Sequence, residues 1–358
     1  MKSSRIKIAV SLAVTALFLW LALRNVKWGE VWEHVRTANY LLLLASVVVA
    51  TLGMHIRAIR WKALLTPVRA DVPFHPRIAG TFVGFAANNL IPARVGEFAR
   101  ALVCARLANL PVSATFASLV VERVLDGLVM VAFLFGAMAW PTFPVRQTGD
   151  ADPRTAAMIL AVAAVGASVT LLGMAFFPHR AVSITERMTR ILPQSFRRPL
   201  VDALRAFLGG LGVLRSPRLL LVSVAWALFQ WAFLATSFVL AFLAFGITGP
   251  GMLGAVFLQS IIAIAVSVPA APGFFGPFEA ASVWGLSLWG VEKERAVSFA
   301  FGFHLGGWFS VTAIGLWYVW SLGLSWRDLR GSEEKVEDAV EHDPTMPGPD
   351  PDPRPRRA

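Results

Sequence analysis

The sequence predicts an all-α, polytopic membrane helical bundle of about six spanning helices plus two opposed re-entrant hairpins in an inverted repeat. Three observations predict it. Of the 358 residues, 56% are hydrophobic and 15% are charged, against roughly 25% charged in soluble domains. Six apolar runs reach the ~20 residues that carry a helix across hydrocarbon. Two further apolar regions are broken by Pro and Gly at corresponding places in the two halves of the chain.

The composition also excludes several classes of function. No long stretch of ordinary polarity remains to build a soluble catalytic domain. The net charge of +11 follows the positive-inside rule of membrane proteins; the arginines are scattered among hydrophobic spans, so nucleic acid is not an expected partner. Cys104 is the only cysteine, which rules out an internal disulfide and a thiolate metal site. The histidines have no metal-ligand spacing. "GPGMLG" at 249–254 fits G-x-G-x-x-G, but no strand precedes it and Pro250 interrupts it, so it fails as a nucleotide loop. No G-x-S-x-G elbow is present. Neither a metal nor a cofactor is expected.

The elements follow in order. "MKSSRIKIAVSLAVTALFLWLAL" begins like a signal peptide. Its apolar run is long and no small-x-small cleavage site precedes Arg24, so 6–23 reads as a retained first span. Further spans are expected at 40–57, 113–139, 156–177, 219–246 and 295–323. The basic segment 179–218 reads as an amphipathic surface helix. The Pro-rich, charged tail, 331–358, is expected to be disordered, which leaves 1–330 as the membrane domain.

Loop charges orient these spans. Lys2, Arg5 and Lys7 hold the N-terminus inside. Arg57, Arg60, Lys62, Arg69 and Arg77 place the second loop inside as well. The 179–218 segment carries eight arginines against Glu186 and Asp202 and falls inside, and Arg327 and Arg330 do the same for the C-terminus. The location expected is the plasma (inner) membrane, with both termini cytoplasmic. Region 76–108 must then begin and end inside, and region 252–290 must begin and end outside. Each becomes a hairpin that enters and turns back. The halves 40–139 and 219–323 repeat with opposite orientation, and the broken segments point to the binding site. A local echo supports the repeat: "PARVGEFARA" from Pro92 and "PGFFGPFEAA" from Pro272 both fit P-x-x-x-G-x-F-x-x-A.

The candidate residues lie in and around these hairpins. In "NNLIPARVGEFARA", Asn88 and Asn89 offer partners to the unpaired backbone of a hairpin tip, and Pro92 stops one half-helix before Gly96. Arg94, Glu97 and Arg100 recur every three residues, at about 2.5–3.5 kcal/mol for each charge at mid-depth. The functional reading is a wet pocket where arginines meet an anion and Glu97 holds them. The bland reading is a cytoplasmic helix whose charges snorkel to the interface. In "VVERVLDGL", Glu122 and Asp126 share a face, with Arg123 beside them; a brace for the first hairpin and a substrate site are both open. Arg57 and Arg60 in "HIRAIRWKALL" read as a topology anchor, with Trp61 at the interface, or as a phosphate-attracting mouth. In "VPAAPGFFGPFEAA", Pro277 suits the first position of a half-helix. That puts Glu279 in its first turn, where it either caps the helix or faces the cavity. Pro272, Gly273 and Gly276 shape the turn. His304, in "GFHLGGW", reads as a packing residue among glycines.

"RAIRWKALL", "NNLIPARVGEFARA", "VVERVLDGL" and "VPAAPGFFGPFEAA", in that order, resemble the lysylphosphatidylglycerol synthase/flippase transmembrane family over residues 5–325. Bifunctional members of that family carry a soluble aminoacyl-transferase domain after the membrane part; this protein is expected to be without it. The resemblance therefore implies a lipid-translocating module without aminoacyl transfer. It implies an anionic lipid, a phospholipid or a polyprenyl-phosphate-linked one, as the partner. The headgroup phosphate is expected at Arg94 and Arg100, with Glu97 and Glu279 orienting them or binding an amine. The competing expectations are a non-transporting scaffold that assists a partner glycosyltransferase or lipid-modifying enzyme, and a membrane-embedded transferase.

Overall fold

The computed structural model describes residues 2–92, 95–144, 166, 178–189, 216–268 and 271–341, and within them the regular elements are helices with no strand. Five long helices occupy places expected of spans: α1 (Lys2–Leu23), α3 (Tyr40–Leu65), α6 (Val112–Ala139), α8 (Pro217–Ala244) and α11 (Lys293–Ser321). Of these, α3, α8 and α11 are long and apolar enough to cross a membrane by length and composition. Helix α6 has the length, at 28 residues, but carries Glu122, Arg123 and Asp126 near its middle. Apart from Gly166, the expected span at 156–177 lies outside the described residues, as does most of the 179–218 segment; its beginning forms α7 (Pro178–Met188). Between α1 and α3, the short α2 (Trp28–Arg36) exposes Trp28 and Trp32, one turn apart, while Val31 packs inward.

Both broken regions are pairs of short helices. The first is α4 (Phe74–Leu90) and α5 (Gly96–Ala108); the second is α9 (Gly251–Ala265) and α10 (Pro277–Ser287), joined through a 3-10 turn at Pro272–Phe274. The arms hold 17, 13, 15 and 11 residues. At ~1.5 Å per residue each is shorter than the ~30 Å hydrocarbon core. Pro92 lies in the first turn, two residues past the end of α4, where its ring cannot continue the helix. Helices α4 and α5 run antiparallel at close range. A Cβ on Gly80 would strike the Arg100 carbonyl, one on Gly84 the Gly96 carbonyl, and one on Gly96 both the Gly84 carbonyl and the Asn88 side chain.

The order long, short, short, long thus occurs twice, as α3–α4–α5–α6 and α8–α9–α10–α11. The packing between the halves exchanges equivalents. The first long helices, α3 and α8, pack on each other, α4 of the first hairpin packs on α11, and α9 of the second packs on α6. Gly315 of α11 lets its backbone approach Phe82 and Ala86 of α4. Phe257 of α9 packs with Leu134 and Ala137 of α6.

One expectation needs correction. The segment from Gly331 was expected to lack structure, yet Ser332–Glu341 form α13, after the short α12 (Trp326–Arg330). Helix α13 packs on α5 and α6, and Ser332 and Val336 are buried. A window dominated by charge hid the apolar residues that dock it. Residues 342–358 lie outside the described residues.

Candidate functional site

Two helical spacings build the charged centre. Arg57 and Arg60 are three residues apart on α3, and Glu122 and Asp126 four apart on α6, so each pair shares a helix face. The two faces meet. Arg57 Nη1 lies 2.6 Å from Glu122 Oε1 and 3.0 Å from Asp126 Oδ2. Arg60 Nη1 lies 2.6 Å from Asp126 Oδ1, and its Nη2 3.4 Å from Glu122 Oε1. Trp231 of α8 donates its indole N–H to Asp126 Oδ1 at 2.9 Å. All four charged side chains are buried.

Helix α5 adds the third arginine. Arg100 grips Glu122 with two parallel bonds, Nη1–Oε1 at 2.7 Å and Nη2–Oε2 at 3.0 Å, the geometry in which a guanidinium fork matches a carboxylate. Its guanidinium also lies 4.2 Å from the centroid of the Trp61 ring, a cation–π contact. Trp61 is fully buried and donates to Ser118 Oγ at 2.9 Å, so it does not sit at an interface as the sequence suggested. Arg123 Nη2 approaches Glu122 Oε1 at 3.3 Å, and its side chain is 43% exposed. Among the described residues, four guanidinium groups meet Glu122 and Asp126, with Glu97 nearby in the wall of the adjoining cavity, so arginines outnumber carboxylates by one. The Nε atoms of Arg57, Arg60 and Arg100 are buried without a hydrogen-bond partner.

A cavity of about 620 Å³ opens beside this centre, and both hairpins contribute to its wall. Arg57, Arg123, Asp126 and Glu97 line one side; Phe274, Phe278, His304 and Trp308 line another. Asn88 and Asn89 reach it from the end of α4. Asn88 ties the first turn together: its oxygen accepts from Gly96 N–H at 2.8 Å, and its amide donates to Glu97 Oε2 at 3.2 Å. Asn89 instead donates to Thr312 Oγ1 of α11 at 2.9 Å, linking the first hairpin to the other half. Gln259 of α9 donates to the Trp231 carbonyl at 3.1 Å and leaves its own oxygen unpartnered.

The second turn is built differently. Gly276 has φ +96, a backbone that a Cβ would strain, and it lies against the Thr15 carbonyl of α1. Pro277 follows at the first position of α10, and Glu279 Oε2 accepts the Gly276 N–H at 2.6 Å. The helix N-terminus favours a carboxylate there. Oε1 of the same carboxylate lies 2.6 Å from His304 Nδ1 of α11. Glu279 therefore caps α10 and pairs with a histidine rather than with an arginine.

Glu30, Glu292 and Glu294 place oxygens within 4.8 Å of one another. Lys27 donates its Nζ to Glu30 and its backbone N–H to Glu294, and His34 lies 3.5 Å from Glu292, so the chain's own groups already face these acids.

A family profile described as the lysylphosphatidylglycerol synthase TM region matches residues 8–315. The chain belongs to that family. Within the matched stretch lie α3, both hairpins and every charged residue of the centre. Glycosyltransferase AglD of Haloferax volcanii is 30% identical over 165 residues, which is 46% of this chain and 26% of that protein. A UPF0104 membrane protein of Pyrococcus horikoshii is 26% identical over 139 residues, 37% of this chain and 39% of the relative. The matches thus span about a quarter and two fifths of these curated relatives.

Within this family member, the sequence-derived candidates separate into groups. Glu122, Arg123, Asp126, Arg57, Arg60 and Arg100 converge on one centre, in which Arg57 and Arg60 are buried partners of carboxylates rather than surface anchors. Arg100 is turned toward Glu122. Among the described arginines, Arg57 and Arg123 line the cavity, together with Asn88, Asn89 and Glu97. Arg94 lies outside the described residues. Pro92, Gly96, Pro272, Gly273 and Gly276 shape the two turns. Sequence reasoning missed Trp231, Gln259 and the pairing of His304; the available signal was a polar atom within an apolar span.

Proposed function

We propose that this family member moves an anionic lipid between leaflets by alternating access around its two hairpins. The observation that carries the reading is the cavity of about 620 Å³ with Arg57 and Arg123 in its wall, beside a centre in which arginines outnumber carboxylates among the described residues. Binding sites for small groups usually fall between ~300 and 1,000 Å³, so a phosphate headgroup fits while the acyl chains stay in the bilayer. Burying excess positive charge is costly, and an anionic headgroup offsets that cost. Glu97 orients the arginines or meets a headgroup amine. The short arms support hairpins that enter from opposite faces and turn back. The charge of the loops supports a plasma-membrane location with both termini cytoplasmic.

A second reading comes from the archaeal relative that is named a glycosyltransferase. On that reading the chain assists a partner glycosyltransferase or lipid-modifying enzyme, or is itself a membrane-embedded transferase, and moves nothing. Purified protein in vesicles with fluorescent phosphatidylglycerol separates the readings. Movement between leaflets by the protein alone supports translocation. If the dye distribution matches protein-free vesicles across a panel of anionic headgroups, including a polyprenyl phosphate, translocation is wrong.

A further inference from the structure

The geometry points to Glu279 and His304 as a proton-binding site that couples proton uptake to capture of the anionic headgroup. The inference rests on the lipid-moving reading and adds its coupling ion. Glu279 has no exposed surface. One carboxylate oxygen is committed to the Gly276 N–H and the other to His304 Nδ1, each at 2.6 Å. The imidazole stacks on Phe278 at 4.1 Å and lies 4.6 Å from the Phe275 ring, and it lines the cavity. With Nδ1–H donated to Glu279, Nε2 is the nitrogen left to gain or lose a proton.

Among the described residues, the helices that carry and adjoin the pair hold few other titratable groups. Helix α9 has no titratable residue, and Glu279 is the only one in α10. In α11 the others are Lys293, Glu294 and Arg295 at its start and Tyr318 in its last turns. In α1 they are Lys2, Arg5 and Lys7 at its beginning. Across the cavity stand Arg57, Arg123, Glu97 and Asp126.

The charge arithmetic supplies the coupling. With His304 neutral the pair carries one negative charge; with His304 protonated it carries none. His304 lines the cavity that an anionic headgroup would enter, with the Glu279 carboxylate directly behind it, and like charges repel in a low-dielectric site. Proton uptake removes that repulsion, so lipid and proton favour each other's binding, and the linkage is reciprocal. The pair also joins the turn of the second hairpin to a long helix. Its charge state therefore acts on the element proposed to move.

Protein labelled with 15N-histidine in nanodiscs tests the site, with and without phosphatidylglycerol in the disc. Expected is a His304 signal, assigned by its loss in His304→Gln, that reports gain and loss of a proton at Nε2, responds to phosphatidylglycerol in the disc, and changes in Glu279→Gln. Apparent affinity for phosphatidylglycerol should strengthen as pH falls, by up to about tenfold per pH unit for one coupled proton, and become flat in His304→Gln. A His304 ring that does not titrate overturns the proposal. So does a titration that ignores bound lipid, or an affinity with the same pH dependence in both proteins. Protein that neither binds nor moves any anionic lipid while His304 titrates normally would instead refute the lipid reading, and the coupling with it.

Discussion

Arg100 of α5 and Glu122 of α6 form a two-pronged ion pair, 2.7 and 3.0 Å, with both side chains almost wholly buried. It joins the second arm of the first hairpin to the adjoining long helix. Glu122 is also the acid on which Arg57, Arg60 and Arg123 converge. One carboxylate thus fixes the hairpin and sets the charge of the cavity wall.

Glu122→Ala should therefore be among the most damaging single substitutions. It removes the acid shared by four arginines and leaves Arg100 without its buried carboxylate. Removing one partner of a buried pair costs about 3–5 kcal/mol. Thermal unfolding in detergent should show this loss. Melting within a degree or two of the wild type would mean that Glu122 does not hold the hairpin.

Arg123→Ala should behave in the opposite way. Its side chain is 43% exposed and shares Glu122 with three other arginines, so stability should fall by less than about 1 kcal/mol. A charge-assisted contact to a phosphate is worth about 1.5–3 kcal/mol, so lipid movement should drop roughly 10- to 100-fold. Equal damage to stability and movement would make Arg123 a structural residue instead.

Glu97→Ala tests the mouth of the first turn. Glu97 accepts from Asn88 at 3.2 Å and lines the cavity, so folding should survive its loss while lipid movement is lost. Arg94→Ala and Arg94→Lys should have the same outcome if that arginine grips phosphate with its fork, because an ammonium cannot reproduce the planar donors. Normal movement in all three would place the site elsewhere.

The long apolar helices and the two interruptions were legible because hydrophobicity and Pro/Gly act locally along the chain. The pairing of Arg57 with Glu122 was not, because 65 residues separate them and either side chain alone also suits an interface. Glu279 in the first turn of α10 followed from Pro277. Its bond to His304 did not, since a histidine between glycines also reads as packing. The missed α13 has a related cause: "SEEKVEDAV" carries few apolar groups, and only the tertiary neighbours at α5 and α6 give Val336 a place to bury.

Gly84→Ala and Gly276→Ala should each destabilise by about 1–3 kcal/mol, for different reasons. At Gly84 a Cβ meets the Gly96 carbonyl and Arg100, so α4 and α5 must separate. At Gly276 the backbone itself, φ +96, is strained for any residue with a side chain. Gly127→Ala is the control, since nothing lies within 4 Å of a Cβ there. It should melt at or above the wild-type temperature, and a fall comparable to the other two would refute the steric account.

The hairpin geometry makes a paired prediction about depth and sidedness. Cysteines at Lys27 and Ser183, on a Cys104→Ala background, should react with an impermeant maleimide from opposite faces, with Ser183 on the cytoplasmic side. Fluorophores at Pro92 and Val268, near the two turns, should be quenched by lipids brominated along the acyl chains, because neither hairpin arm is long enough to carry its turn across the full hydrocarbon core. The two results constrain each other. If the turn at Pro92 reacts from the face opposite Ser183, the first pair is a complete crossing; the parity of every later span then changes, and the inverted repeat fails with it.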